Sequence, residues 1–89
     1  MMNLDWEKVN GLMPAIIQDY ETLEVLMLGY MSEEALKISQ SSGFATFYSR
    51  TRKTLWTKGE TSGNKLTIKN IIHDCDKDTL LILAKNSGP

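Results

Sequence analysis

Short apolar runs separated by polar breaks set the pattern of the chain from end to end. Met13 to Gln18 is an apolar stretch that suits a strand, and Glu24 to Tyr30 suits a second. Asp19-Tyr20-Glu21-Thr22-Leu23 lies between them, so the pair predicts a hairpin. A single helix follows. Ser32 is placed to cap it, and Glu33 and Glu34 occupy the first turn, where the helix dipole favours acids. Ala35, Leu36, Ile38 and Ser39 continue at helical spacing, and Gly43 is placed to end it. Phe44 to Ser49 is aromatic and β-prone and predicts another strand. Arg50 to Asn64 is polar and basic, with apolar Leu55-Trp56 in its middle. Leu66, Ile68 and the Ile71-Ile72 pair predict a strand leading into Asp74. Thr79 to Ala84 is apolar on both faces and predicts a buried last strand. One helix among about six strands predicts an α+β domain, a mostly antiparallel, barrel-like sheet with one main helix.

Length bounds what such a domain can do. A chain of 89 residues buries only about two-thirds of its unfolded surface, so it holds one modest core. Any site then lies near the surface or between subunits. No repeat, linker or low-complexity tract divides the sequence, and residues 1–89 are expected to form a single domain. A hydrophobic content of 42% excludes an intrinsically disordered chain. The formal net charge of −1 gives no general pull toward nucleic acid or anionic lipid. Cys75 is the one cysteine and cannot make an intrachain disulfide, which favours a reducing compartment. The N-terminal MMNLDWEKVN carries charges where a signal peptide has an apolar stretch. The longest apolar runs, at Val25 to Leu28 and Thr79 to Ala84, are far too short to span a membrane. The expectation is a cytoplasmic protein with neither nucleic acid nor membrane as its partner.

The densest chemistry is Asp74-Cys75-Asp76-Lys77-Asp78. In an extended segment alternate side chains share a face, which would put the three aspartates on one side and Cys75 and Lys77 on the other. Three carboxylates on one face repel unless a cation sits among them, and hard oxygen ligands suit Mg²⁺, Ca²⁺ or Mn²⁺. The thiol is a soft ligand that suits Zn²⁺, but a zinc site takes three or four protein ligands. The D-x-D-x-D opening also begins an EF-hand loop. Thr79 stands where that loop needs glycine and Lys85 where it needs glutamate, so an EF-hand is excluded. The alternative to a metal site is a solvated acidic turn beside an inert cysteine, with His73 simply exposed at a strand end.

The second concentration of chemistry runs from Ser49 to Asn64. Arg50, Arg52, Lys53 and Lys58 are candidates to neutralise phosphate. Thr61, Ser62 and the backbone amides near Gly63 are candidate hydrogen-bond donors to it, and Trp56 to stack on a base. The spacing is not that of a P-loop. Glu60, between Gly59 and a hydroxyl pair within a basic segment, is a candidate general acid or base. The alternative is a solvated hairpin with a basic edge and Trp56 in the core.

Taken together these segments resemble phosphoribosyl-AMP cyclohydrolases. The resemblance rests on Asp5-Trp6, on Glu24-Val25-Leu26-Met27-Leu28-Gly29-Tyr30-Met31, and on Glu34-Ala35-Leu36. It continues through Phe47-Tyr48-Ser49-Arg50, through Leu55-Trp56-Thr57-Lys58-Gly59-Glu60-Thr61-Ser62-Gly63-Asn64, and through the Asp74 to Asp78 motif. The resemblance implies the third step of histidine biosynthesis, in which water opens the N1–C6 bond of the adenine ring of 1-(5-phosphoribosyl)-AMP. It implies a homodimer with one Zn²⁺ per subunit, its ligands shared across the dimer, and Mg²⁺ besides. Asp74, Asp76 and Asp78 would hold Mg²⁺, and Cys75 would be one zinc ligand. Lys58 and Glu60 become candidates for orienting substrate or moving protons. Ser49, Arg50, Trp56, Thr61, Ser62 and Gly63 become candidate substrate contacts, with Tyr48 a further side chain near a base.

The chain departs from the family pattern in two places. Relatives continue beyond the Ser-Gly-Pro with Thr-Cys-His and a further cysteine, which complete the zinc site. On that comparison the 89 residues are expected to be truncated and to bind zinc and turn over weakly on their own. Relatives also carry a pyrophosphohydrolase domain after this one in many cases. Leu23 stands where the hairpin turn of relatives often has glycine, so a local change in turn geometry is expected. Two other function classes remain: a nucleotide- or phosphate-binding module without turnover, and an RNA-binding β domain using Arg50 to Lys58. The net charge and the acidic cluster argue against the latter.

Overall fold

A computed structural model describes residues 3–86. The chain end at Ser87-Gly88-Pro89 lies outside the described residues. The elements follow in the order β1 (Met13–Asp19), β2 (Val25–Met31), α1 (Glu33–Ser42), β3 (Thr46–Ser49), β4 (Thr54–Thr57), β5 (Leu66–His73) and β6 (Leu80–Asn86). The fold is α+β, as the sequence predicts.

The helix has the ends its sequence encodes. Ser32 Oγ accepts from Ala35 N at 3.1 Å, and Glu33 and Glu34 lie in the first turn. Gly43 closes the last turn in the left-handed conformation, its N–H bonded to Ser39 O at 2.9 Å. The buried face of α1 is Ala35, Leu36 and Ser39.

The strands form two open sheets, β2-β1-β6-β5 and β3-β4. Among the described residues no ladder closes them into a barrel. β1 pairs antiparallel with β2, and β5 antiparallel with β6, but β1 and β6 run parallel at the centre. Parallel pairing needs a long crossover, and here everything from β2 to β5 supplies it. The Leu55-Trp56 pair belongs to a strand of its own, β4, which pairs with β3 in the order Phe47↔Trp56 and Thr46↔Thr57.

Core residues come from one face of the larger sheet. Met13, Ala15 and Ile17 of β1, Met31 of β2, and Leu80, Ile82 and Ala84 of β6 are buried against Ala35, Leu36, Ala45, Phe47 and Leu66. The last strand is buried on one face rather than both. Leu81 and Leu83 are only half-buried. They share the outer face with Ile16, Leu28 and Ile72, placed there by the pairs Ile16↔Leu28, Ile16↔Leu81 and Ile72↔Leu81. The apolar sequence of β6 therefore reflects a central position with an uncovered second face.

Gly29 lets the two sheets meet. A Cβ at this position would stand 2.6 Å from the Phe47 ring, so only glycine admits Phe47 to the core.

Candidate functional site

The acidic motif is a tight turn between β5 and β6, not an extended segment. Lys77 N donates to Asp74 O (3.1 Å), and Asp74 N to Thr79 O (3.1 Å). Asp74 Oδ1 accepts from the N–H groups of Asp78 (3.0 Å) and Thr79 (3.2 Å). Lys77 takes a left-handed conformation at φ 60° to complete the turn. The three aspartates still converge, with one carboxylate oxygen of each within 4.8 Å of the others. Turn geometry brings them together, in place of the strand alternation that the sequence pattern predicts. Cys75 is free and exposed on the same turn.

A neighbour without any motif completes the cluster. Lys8 Nζ pairs with Asp78 Oδ2 at 2.8 Å, and Asp5 N donates to Lys77 O at 2.8 Å. The N-terminal turn thus docks on the acidic turn. Hydrogen bonding to Lys8 holds the Asp78 carboxyl below the ordinary carboxylate range, and the same bond raises the Lys8 ammonium above its own. Asp5-Trp6-Glu7-Lys8 carries no spacing signal that could have pointed to this contact.

The basic segment divides between two places. Ser49 and Arg50 sit at the β3–β4 turn. Ser49 Oγ accepts from Arg52 N at 3.2 Å, and the Arg50 guanidinium lies 4.1 Å from the centre of the Tyr30 ring. Along the ribbon, the loop after β4 shapes a cavity of about 220 Å³ with Trp56, Lys58, Glu60, Thr61 and Ser62 in its walls, and Arg52 of the β3–β4 turn completes the lining. The loop is closed by Gly63 N donating to Gly59 O at 2.7 Å. Glu60 Oε2 accepts from Thr57 N at 3.2 Å, which turns its carboxylate back toward β4. Trp56 also packs on Phe47, ring centres 5.0 Å apart, so it serves the core and the cavity wall together. Of the candidate substrate residues, the structure gathers Trp56, Lys58, Glu60, Thr61 and Ser62, with Gly63 on the same loop, and sets Ser49 and Arg50 apart.

A larger cleft of about 420 Å³ adjoins Lys58 on the side of the four-stranded sheet. Leu26, Met27 and Leu66 give it apolar walls, and Lys58, Asn64 and Asn86 polar ones.

The acidic turn and this loop lie at opposite ends of one chain. Leu66 pairs with Asn86 at the cleft, whereas His73 pairs with Leu80 beside Asp74. The eight-residue strand β5 spans the gap, roughly 20 Å at about 3.3 Å per residue.

The chain resembles known proteins throughout. The phosphoribosyl-AMP cyclohydrolase family matches residues 27–89. The histidine biosynthesis bifunctional protein HisIE of Buchnera aphidicola subsp. Acyrthosiphon pisum is 58% identical over 88 residues, 99% of this chain and 41% of its own length. The proteins of the same name from Yersinia pestis and Escherichia coli K12 are 59% and 60% identical over 86 residues, 97% of this chain and 42% of theirs. The chain thus spans about two-fifths of the length of these relatives. Among the described residues no helix is long and apolar enough to cross a membrane. On the family match and on identity over nearly its whole length, the chain belongs to the phosphoribosyl-AMP cyclohydrolase family.

Proposed function

We propose that this chain opens the adenine ring of 1-(5-phosphoribosyl)-AMP at N1–C6 by addition of water, in histidine biosynthesis. Its family carries the proposal, and the names of its relatives place those proteins in that pathway. The observation that supports the chemistry is the pairing of a three-carboxylate turn with a basic, hydroxyl-rich loop. Alkylation at N1 makes the purine cationic and C6 electrophilic, so the protein need not supply all the activation. Lys58 and Glu60 hold or move protons at the loop. Arg52, Thr61 and Ser62 neutralise and bond a substrate phosphate.

The donor sets differ in how they fit the two metals. Asp74, Asp76 and Asp78 offer hard oxygens close enough to share one ion, which fits Mg²⁺. Cys75 offers one soft ligand where zinc takes three or four, so residues 3–86 of one chain do not make a zinc site. In this family reading zinc would need Cys75 together with ligands from outside the described residues, and it would supply a water acidified toward neutrality.

A homodimer belongs to the same proposal. Groups roughly 20 Å apart in one chain cannot act on one purine carbon, whereas an acidic turn from one subunit and a loop from its partner can. The outer sheet face, with Leu28 at 53% and Ile72 at 42% exposure, is apolar enough to be covered.

The test is ring opening of phosphoribosyl-AMP by the full chain, with bound zinc and magnesium measured on the same sample. Turnover that Glu60→Gln reduces about a hundredfold, with metals retained, supports the reading. Saturable nucleotide binding without turnover, metals present, would replace it with the binding-module alternative.

A further inference from the structure

The cleft beside Lys58 lies within the usual range of ligand-pocket volumes and sets three apolar side chains against a more extensive polar lining from Lys58, Asn64 and Asn86. Its apolar side, Leu26, Met27 and Leu66, suits a flat ring and not a phosphate. Its polar side carries Asn64, whose side-chain amide has no hydrogen-bond partner among the described residues; its backbone N–H is the group bonded to Ser62 Oγ at 3.2 Å. Asn64 is held from behind. Gly59 is left-handed at φ 85°, and a Cβ there would run into the Asn64 carbonyl and the Lys65 nitrogen, so the two stretches of loop touch backbone to backbone. A half-buried amide on a braced backbone, beside Lys58, is built to read a ligand edge.

We propose that Asn64 is a specificity-determining residue, its amide pairing with the N6/N7 edge of the substrate purine in this cleft. The proposal rests on the cyclohydrolase reading. An amide donates one hydrogen bond and accepts another, and the N6/N7 edge of adenine presents the complementary acceptor and donor. Hypoxanthine presents two acceptors there and leaves the amide oxygen unpaired. The edge lies beside C6, so the same contact orients the carbon that water attacks.

Calorimetric titration of the full chain with AMP and with IMP tests this, alongside phosphoribosyl-AMP turnover. The unmodified chain should prefer AMP over IMP by about tenfold to a hundredfold. Asn64→Ala should bind the two alike and lose turnover chiefly through a raised KM. Asn64→Asp, nearly isosteric, keeps an acceptor for N6 but cannot donate to N7, so it should bind AMP more weakly than the parent while still disfavouring IMP, whose edge offers only acceptors. Thermal midpoints of both variants within a few degrees of the parent show that folding is not the cause. An AMP preference that survives in Asn64→Ala overturns the role of Asn64 and leaves the cyclohydrolase reading standing. A parent chain that shows neither turnover nor AMP binding overturns both.

Discussion

Ser39 shows how much of the fold hangs on single polar atoms. Its hydroxyl is fully buried, donates to Ala35 O at 2.9 Å and accepts from Thr46 N at 2.9 Å, tying α1 to the first residue of β3. Thr46 Oγ1 lies in turn 2.9 Å from Thr57 Oγ1, so the link reaches the residue before Lys58. Ser39→Ala leaves the buried Thr46 N–H without its acceptor. Such a loss costs about 1–3 kcal/mol, against a total stability on the order of 5–15 kcal/mol for a domain. Urea unfolding should show a lowered midpoint at unchanged slope. A midpoint equal to the parent's would mean that Thr46 N–H has another partner.

At the scale of elements, the two turns that end strands on Asp residues carry the response to acid. In the β1–β2 turn, Asp19 Oδ1 accepts from Glu21 N at 2.8 Å and Thr22 N at 2.9 Å. These bonds, that from Thr22 foremost, favour the ionised carboxylate and hold its pKa below the ordinary value. A depressed pKa contributes stability that is complete above the unfolded value, about 3.9, and is lost as pH falls through the folded one. Asp19→Asn keeps an acceptor and no longer titrates. Its thermal midpoint should therefore fall less steeply than the parent's below about pH 4. Asp78 follows the same sign through Lys8, so Asp19→Asn removes only part of the slope. An unchanged slope would show that the β1–β2 turn plays no part in acid unfolding.

The same scale shows what the sequence makes legible. Ser32, the paired glutamates and Gly43 define α1 because capping is local chemistry. Leu23 takes the left-handed conformation in the β1–β2 turn at φ 66°, a backbone geometry that glycine adopts most readily. The acidic triad is legible as a cluster, but strand alternation is the wrong reason for it; the cause is a turn built on Asp74 Oδ1. The parallel β1–β6 pair and the Lys8–Asp78 contact are not legible, because both join distant segments and leave no local period. Ser49 and Arg50 read as neighbours of Lys58 in sequence, yet a hairpin turns them to the far end of the ribbon.

On the scale of the whole molecule, the separation of the acidic turn from the Lys58–Glu60 loop decides between two kinds of site. If each chain holds a complete site, two different inactivating substitutions can never rescue one another. If the proposed dimer shares its sites, they can. A mixed dimer of Glu60→Gln and Asp76→Asn subunits has one site carrying both defects and one carrying neither. Random mixing makes about half of the dimers mixed, each with one of its two sites intact, so about a quarter of parental turnover returns. The subunits are co-expressed, and turnover is compared with that of each variant alone. Recovery should vanish when the outer sheet face is charged, as in Leu28→Asp, because that face is where apolar side chains of β2, β1, β6 and β5 stand uncovered. Mixtures that stay as inactive as their parents would mean that loop and turn work within one chain. The roughly 20 Å between them would then have to be closed by movement of the loop, since the β5–β6 ladder fixes the turn.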